Sequence, residues 1–77
     1  MTNSKLLRET INESGYKLQF VAKKINISYQ ALLNKLNNAT EFKVSEISAL
    51  CELLKIDSEK REVIFFANFV DLKSTAK

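Results

Sequence analysis

The run Leu18-Gln19-Phe20-Val21-Ala22-Lys23-Lys24-Ile25-Asn26-Ile27-Ser28-Tyr29-Gln30-Ala31-Leu32-Leu33-Asn34-Lys35-Leu36 holds two apolar stripes at helical spacing. Leu18, Val21, Ala22 and Ile25 fall at i, i+3, i+4 and i+7, so residues 17–25 predict an amphipathic helix with Lys17, Lys23 and Lys24 on its outer side. Asn26 interrupts the pattern, and asparagine tolerates left-handed backbone better than most residues that carry a side chain. Ser28 is a good N-cap, because its hydroxyl can accept an otherwise unpaired backbone N–H. A second helix over 29–36 follows, with Leu32, Leu36 and Ala31 on the buried side. Tyr29, Gln30, Leu33, Asn34 and Asn37 fall largely on the other. Two short helices crossing steeply need a small residue at closest approach, a turn residue that accepts positive φ, and an apolar residue to lock the corner. Ala22, Asn26 and Ile27 meet these needs in order.

Outward from this unit, the rest of the chain also predicts helices. Among 77 residues there is no proline and one glycine, Gly15, which argues for helices joined by short turns. Leu7 and Ile11, with Ser14 and Leu6, mark a first helix over 4–14, and Gly15 supplies its stop. Residues 37–42 read as a loop. Val44, Ile47, Leu50, Cys51 and Leu54 form the stripe of a helix over 44–54, and Ile56 plugs the core behind it. Asp57 or Ser58 caps a fifth helix, whose first turn carries Glu59 and Glu62 in favourable relation to the helix dipole. The run from Val63 to Val70 is apolar on every side. It reads as the buried part of that helix, with a short strand over about 68–72 as a variant ending. The fold class expected is therefore all-α: a compact bundle of about five short helices forming one domain over 1–77, with 74–77 as a frayed tail.

Composition narrows the function. One cysteine and no histidine leave no internal disulfide and no Cys/His zinc site. Cys51 lies within an apolar stripe and reads as a small hydrophobe, not a nucleophile. The carboxylates stand at helix starts and on outer faces, so no acid/base pair emerges, and neither an enzyme, a cofactor nor a small-molecule substrate is expected. No long apolar run or leader pattern occurs, so a membrane partner is not expected and a reducing cytoplasm is the expected compartment. The formal charge is +3. It is unevenly spread: residues 14–40 carry four lysines and no carboxylate, whereas residues 44–77 carry five basic against six acidic groups. A carboxylate-free basic stretch suits a surface facing phosphates, although solvated lysine faces are also common.

With these features the chain resembles helix-turn-helix proteins of the lambda-repressor-like type, the Xre and Cro group of phage and bacterial regulators. The segments SGYKLQFVAKKINISYQALLNKLNN and FKVSEISALCELLKID carry the likeness, and SEKREVIFFANFVDLKST is similar to the end of small phage-type members. Two departures stand out: the group's usual turn glycine is Asn26, and apolar Phe20 stands near polar positions that touch phosphate in the group. The resemblance implies that the third helix enters the major groove of double-stranded operator DNA. Ser28, Tyr29, Gln30, Leu33 and Asn34 then become the base readers. Gln30 and Asn34 have the donor and acceptor geometry that suits adenine, and Leu33 suits a thymine methyl. Lys17, Lys23, Lys35, Asn37 and Lys43 become phosphate contacts, which position without specifying sequence. With no arginine on this stretch, an A·T-leaning half-site is expected. Phe65, Phe66, Phe69 and Val70 exceed what one helix face can bury and are expected in a homodimer interface. The function implied is operator binding by a repressor of the Cro kind. The alternative is a protein-interaction module on the same fold, an antitoxin or antirepressor partner.

Overall fold

A computed structural model of the chain describes residues 2–66. Five helices follow one another: α1 (Ser4–Ser14), α2 (Leu18–Lys24), α3 (Tyr29–Leu36), α4 (Val44–Leu54) and α5 (Ser58–Phe65). Among the described residues there is no strand. The proposed strand over 68–72, the tail over 74–77 and the interface residues Phe69 and Val70 lie outside the described residues. No described helix is long and apolar enough to cross a membrane.

Each helix starts and stops for local reasons. Asn3 caps α1 by accepting the Leu6 N–H at 3.1 Å, Ser28 caps α3 by accepting that of Ala31 at 3.0 Å, and Asp57 caps α5 by accepting that of Lys60 at 2.8 Å. At α4 the device is reversed: the Lys43 N–H donates to Glu46 Oε1 at 2.8 Å, half of a capping box. Lys17 precedes α2 as its N-cap without a side-chain bond, and Ile25 is its C-cap, so this helix is shorter than the expected 17–25.

The first four helices all end beside a left-handed residue: Gly15 at φ 81°, Asn26 at 66°, Asn38 at 61° and Lys55 at 55°. After α2, the Asn26 N–H reaches Lys23 O at 3.1 Å and the Ile27 N–H reaches Ala22 O at 3.0 Å. After α3 the same pair recurs, Asn38 to Lys35 O at 3.1 Å and Ala39 to Asn34 O at 2.9 Å. These are Schellman turns, which satisfy carbonyls that the helix itself leaves unpaired. The Asn26 turn redirects the chain and sets Ile27, partly buried, against the core.

Helix α1 packs on α3, α4 and α5, while α2 packs on α3 and α4. The centre is Leu7, Val21, Leu32, Leu36, Leu50 and Ile64, all essentially without exposure, with Ile11, Ala22, Ile25 and Ile56 around them. The chain's beginning closes the bundle. The Asn3 N–H donates to Ile64 O near the end of α5, and Asn38 holds Thr2 through its N–H and C=O and Ser4 through its hydroxyl.

Three expectations are corrected here. Ser14 is exposed, because it sits at the fraying end of α1 and its hydroxyl donates to Ile11 O. Val44 is 79% exposed, because the first turn of α4 precedes the part that meets α1 and α2; Leu50 is that helix's buried residue and Ile47, Cys51 and Leu54 are half-buried. Phe42, at the end of the expected loop, is buried and meets Phe65 edge-to-face, with ring centroids 5.7 Å apart.

Candidate nucleic-acid interface

The outer face of α3 begins at its cap. The Ser28 hydroxyl oxygen is engaged with the Ala31 N–H, but Ser28, Tyr29 and Gln30 are all exposed, Tyr29 at 42%. One turn on, Leu33 and Asn34 are half-buried. Gln30 Nε2 donates to Asn34 Oδ1 at 3.2 Å, an i,i+4 bond along the face. That bond leaves Gln30 Oε1 as an acceptor and Asn34 Nδ2 as a donor. An adenine edge presents the complement, a donating N6 amine and an accepting N7. The bond also holds two flexible amides in place before any ligand arrives, which lowers the ordering cost of binding.

Lys17, Lys23, Lys24 and Lys43 are exposed, and Lys24 shares a recess with Ala49, Glu52 and Leu53 of α4. Lys35 is not, and its expected phosphate contact is corrected. Position 35 falls on the Leu32–Leu36 side of α3, so its stem runs along the core. Its ammonium ends 3.2 Å from Glu46 Oε1 and 3.0 Å from Glu41 O, and lies 5.9 Å above the Phe42 ring. The pair side chains are only 11% and 9% exposed. Glu46 thus joins α3 to α4 and caps α4 with the same oxygen. Lys35 holds the fold together and has no reach toward a phosphate.

Asn37 remains exposed, but its side-chain Oδ1 accepts from the Arg8 guanidinium at 2.9 Å. Arg8 comes from α1, 29 residues away in sequence. No local pattern links the two positions, so Arg8 was absent from the expected surface. The premise that no arginine stands here is therefore corrected: one guanidinium flanks the C-terminal end of α3.

Phe20 brings a second unforeseen group. It is 40% exposed, its ring lies 4.9 Å from that of Tyr16, and Lys24 Nζ stands 5.6 Å above it. The i, i+4, i+8 spacing of Tyr16, Phe20 and Lys24 is legible once Phe20 is placed on the outer side of α2. This aromatic pair adds flat apolar area and a cation to the outer surface of α2, and Tyr16 also borders a recess with Ile11 and Leu18.

The expected interface aromatics divide. Phe65 is 6% exposed and packs on Phe42, so it belongs to the core and not to an interface. Phe66, at 39%, is exposed just beyond α5. Burial pushes the Cys51 thiol pKa up, with Arg61 pulling more weakly the other way, so the sulfur stays protonated at neutral pH.

No protein family, curated protein or solved structure gives a significant match to this chain. The functional reading consequently rests on the surface itself. Its chemistry is that of an amide pair and a tyrosine on residues 14–40, a stretch with three exposed lysines and no carboxylate.

Proposed function

We propose that the protein is a sequence-specific, double-stranded-DNA-binding transcriptional regulator of the Xre/Cro kind, reading an operator with α3 in the major groove. The observation that carries this reading is the outer face of α2 and α3. Gln30 and Asn34 are linked at 3.2 Å, and Lys17 and Lys23 are exposed on the same stretch of sequence, residues 14–40, which has no carboxylate. Tyr29 and Leu33 share the readers' side, and Lys43 extends the lysine border at the start of α4. In this role Gln30 and Asn34 discriminate bases, while the lysines neutralise phosphates and set register. Such a regulator works in the cytoplasm, where the operator is.

The test is a titration of the full chain with random and candidate-operator duplexes at two salt concentrations. Three lysine–phosphate contacts per protomer predict a log–log salt slope of about −2.7, or roughly a 40-fold loss of affinity from 50 to 200 mM salt. The Gln30→Ala/Asn34→Ala variant should lose its preference for operator over random duplex and keep the salt slope. Failure to bind any duplex at low salt overturns the reading. In that event the exposed Tyr16–Phe20 pair favours a protein-interaction module on the same fold, since aromatic area is enriched where proteins meet.

A further inference from the structure

The bend between α1 and α2 holds a recess of ≈ 280 Å³. Arg8, Ile11 and Asn12 line it from α1, on one face at i, i+3 and i+4. Tyr16 and Leu18 line it from beyond Gly15, whose φ of 81° turns the chain. Ile11 is 3% exposed and forms an apolar floor, with half-buried Leu18 beside it. The polar rim is made of donors: the Arg8 guanidinium, the Asn12 amide and the Tyr16 hydroxyl. No carboxylate and no lysine line the recess. Among the described residues, Arg8 forms no ion pair, and neither the Asn12 side chain nor the Tyr16 hydroxyl has a hydrogen-bond partner.

We infer that this recess binds a small monocarboxylate with a flat apolar body. The charge selects the anion. A guanidinium presents a planar fork that matches a carboxylate, and here one fixed cation faces no acid of its own. A phosphate group brings up to about two charges, which a single guanidinium and two neutral donors leave under-neutralised. The floor selects the body: Ile11, Leu18 and the Tyr16 ring offer apolar area to a ring or a short branched chain. The volume limits its size, because pockets for drug-sized molecules start at roughly 300 Å³. The walls are held before any ligand arrives. Asn37 Oδ1 accepts from Arg8 Nη2 at 2.9 Å, Ser14 Oγ accepts from the Tyr16 N–H at 3.2 Å, and the Phe20 ring lies 4.9 Å from that of Tyr16. Such ordering lowers the entropy lost on binding. The ligand is bound and not transformed, since no nucleophile or acid/base pair lines the recess.

Amide NMR of the full chain titrated with sodium benzoate tests the proposal, beside neutral benzamide and sodium chloride at matched ionic strength. Benzoate should give saturable shifts at Arg8 Nε–H, the Asn12 side-chain amide and the Tyr16 N–H, with a dissociation constant on the order of 1 mM, ordinary for so small a ligand. Benzamide should bind at least about tenfold more weakly, having lost the charge-assisted bonds. Arg8→Gln should weaken benzoate binding by a similar factor, and Arg8→Lys by less, since it keeps the charge and loses the fork. Asn37→Ala, outside the recess, should weaken it a few-fold by releasing the guanidinium. Positions 8 and 37 are exposed, so helical circular dichroism should be unchanged in all three. Absence of saturable shifts overturns the proposal. So do equal shifts with chloride, equal affinity for benzamide, or an Arg8→Gln variant that binds benzoate as tightly as wild type. No duplex enters the experiment, so its failure leaves the DNA reading standing, and failure to bind DNA leaves the recess standing.

Discussion

The outward faces of α2–α3 and of α4–α5 are both exposed, yet they are opposite in chemistry. The first carries lysines, amides and a tyrosine, with carboxylates excluded over residues 14–40. The second carries Val44, Ile47 and Phe66 with a mixed-charge rim. A chain this short buries only about 60% of its unfolded surface, so some apolar residues must remain outside. Where they remain is informative. Around α3 most exposed residues are polar, with the Tyr16–Phe20 pair as the apolar exception. Around the α4–α5 groove the apolar atoms stay outside and the polar atoms move to the rim. The same domain thus offers one surface rich in polar and basic groups and one with exposed apolar groups.

The strongest way to break this contrast is to disturb the strut between the two halves. Lys35 and Glu46 link α3 to α4 with little exposure. Removing one partner leaves the other charge buried and unpaired, which costs about 3–5 kcal/mol. Lys35→Ala should therefore lower the thermal midpoint by roughly 12–24 °C if the loss is near the low end, using about 4–8 °C per kcal/mol for a domain of this size. Lys35→Met combined with Glu46→Gln should recover much of it, because the glutamine still accepts the Lys43 N–H without an unpaired charge. Lys23→Ala, on the exposed side, should stay within about ±0.5 kcal/mol. Equal stability of the Lys35→Ala and Lys23→Ala variants, measured by thermal unfolding, would mean that the two lysines are alike and the strut does not exist.

Those two lysines also show what was legible in sequence and what was not. The boundaries of α1, α3 and α4, the Ser28 cap and the Asn26 turn were readable, because each depends on spacing or on one residue's local chemistry. The exposure of Tyr29 and Gln30, and the position of half-buried Asn34 one turn on, followed from helical phase alone. Lys35 did not, since a charged side chain at the edge of a stripe can snorkel outward or turn in, and the acceptor that turns it in, Glu46, lies in the next helix. Arg8 was invisible for the same reason: its partner Asn37 is 29 positions away. Phe65 and Phe66 are neighbours of equal hydrophobicity, and only the packing of Phe42, a residue assigned to a loop, separates core from surface. Local signals were readable; the choice of side for a long or aromatic residue at a helix edge was not.

An intermediate effect sharpens the contrast on the α3 side, under the proposed DNA reading. Gln30→Ala and Asn34→Ala should each reduce discrimination between operator and a duplex altered at the contacted base pair by about 1–3 kcal/mol. The two losses should fall short of additive, because the side chains are bonded to each other at 3.2 Å and either truncation frees the other. Stability should change by no more than about 0.5 kcal/mol. A double-mutant cycle of operator affinities gives the coupling directly. Strict additivity would mean that the amides act separately and that their mutual bond is not retained in the complex.

The smallest effect compares the turns that end α2 and α4. Asn26 at φ 66° and Lys55 at 55° occupy the same left-handed position, one in each half of the molecule. Each is followed by an apolar residue that bonds back to the helix, Ile27 to Ala22 O at 3.0 Å and Ile56 to Cys51 O at 2.9 Å. Left-handed backbone costs a residue with a Cβ roughly 1–2 kcal/mol, and asparagine is among those that visit it most readily. Glycine removes that cost but adds freedom to the unfolded chain. Lys55→Gly should therefore stabilise by about 0.5–1 kcal/mol, whereas Asn26→Gly should change stability by only a few tenths, because asparagine carries less of the strain. Chemical denaturation at equal m-value separates the two. A larger gain at Asn26 than at Lys55 would show that the α2–α3 turn holds the greater backbone strain.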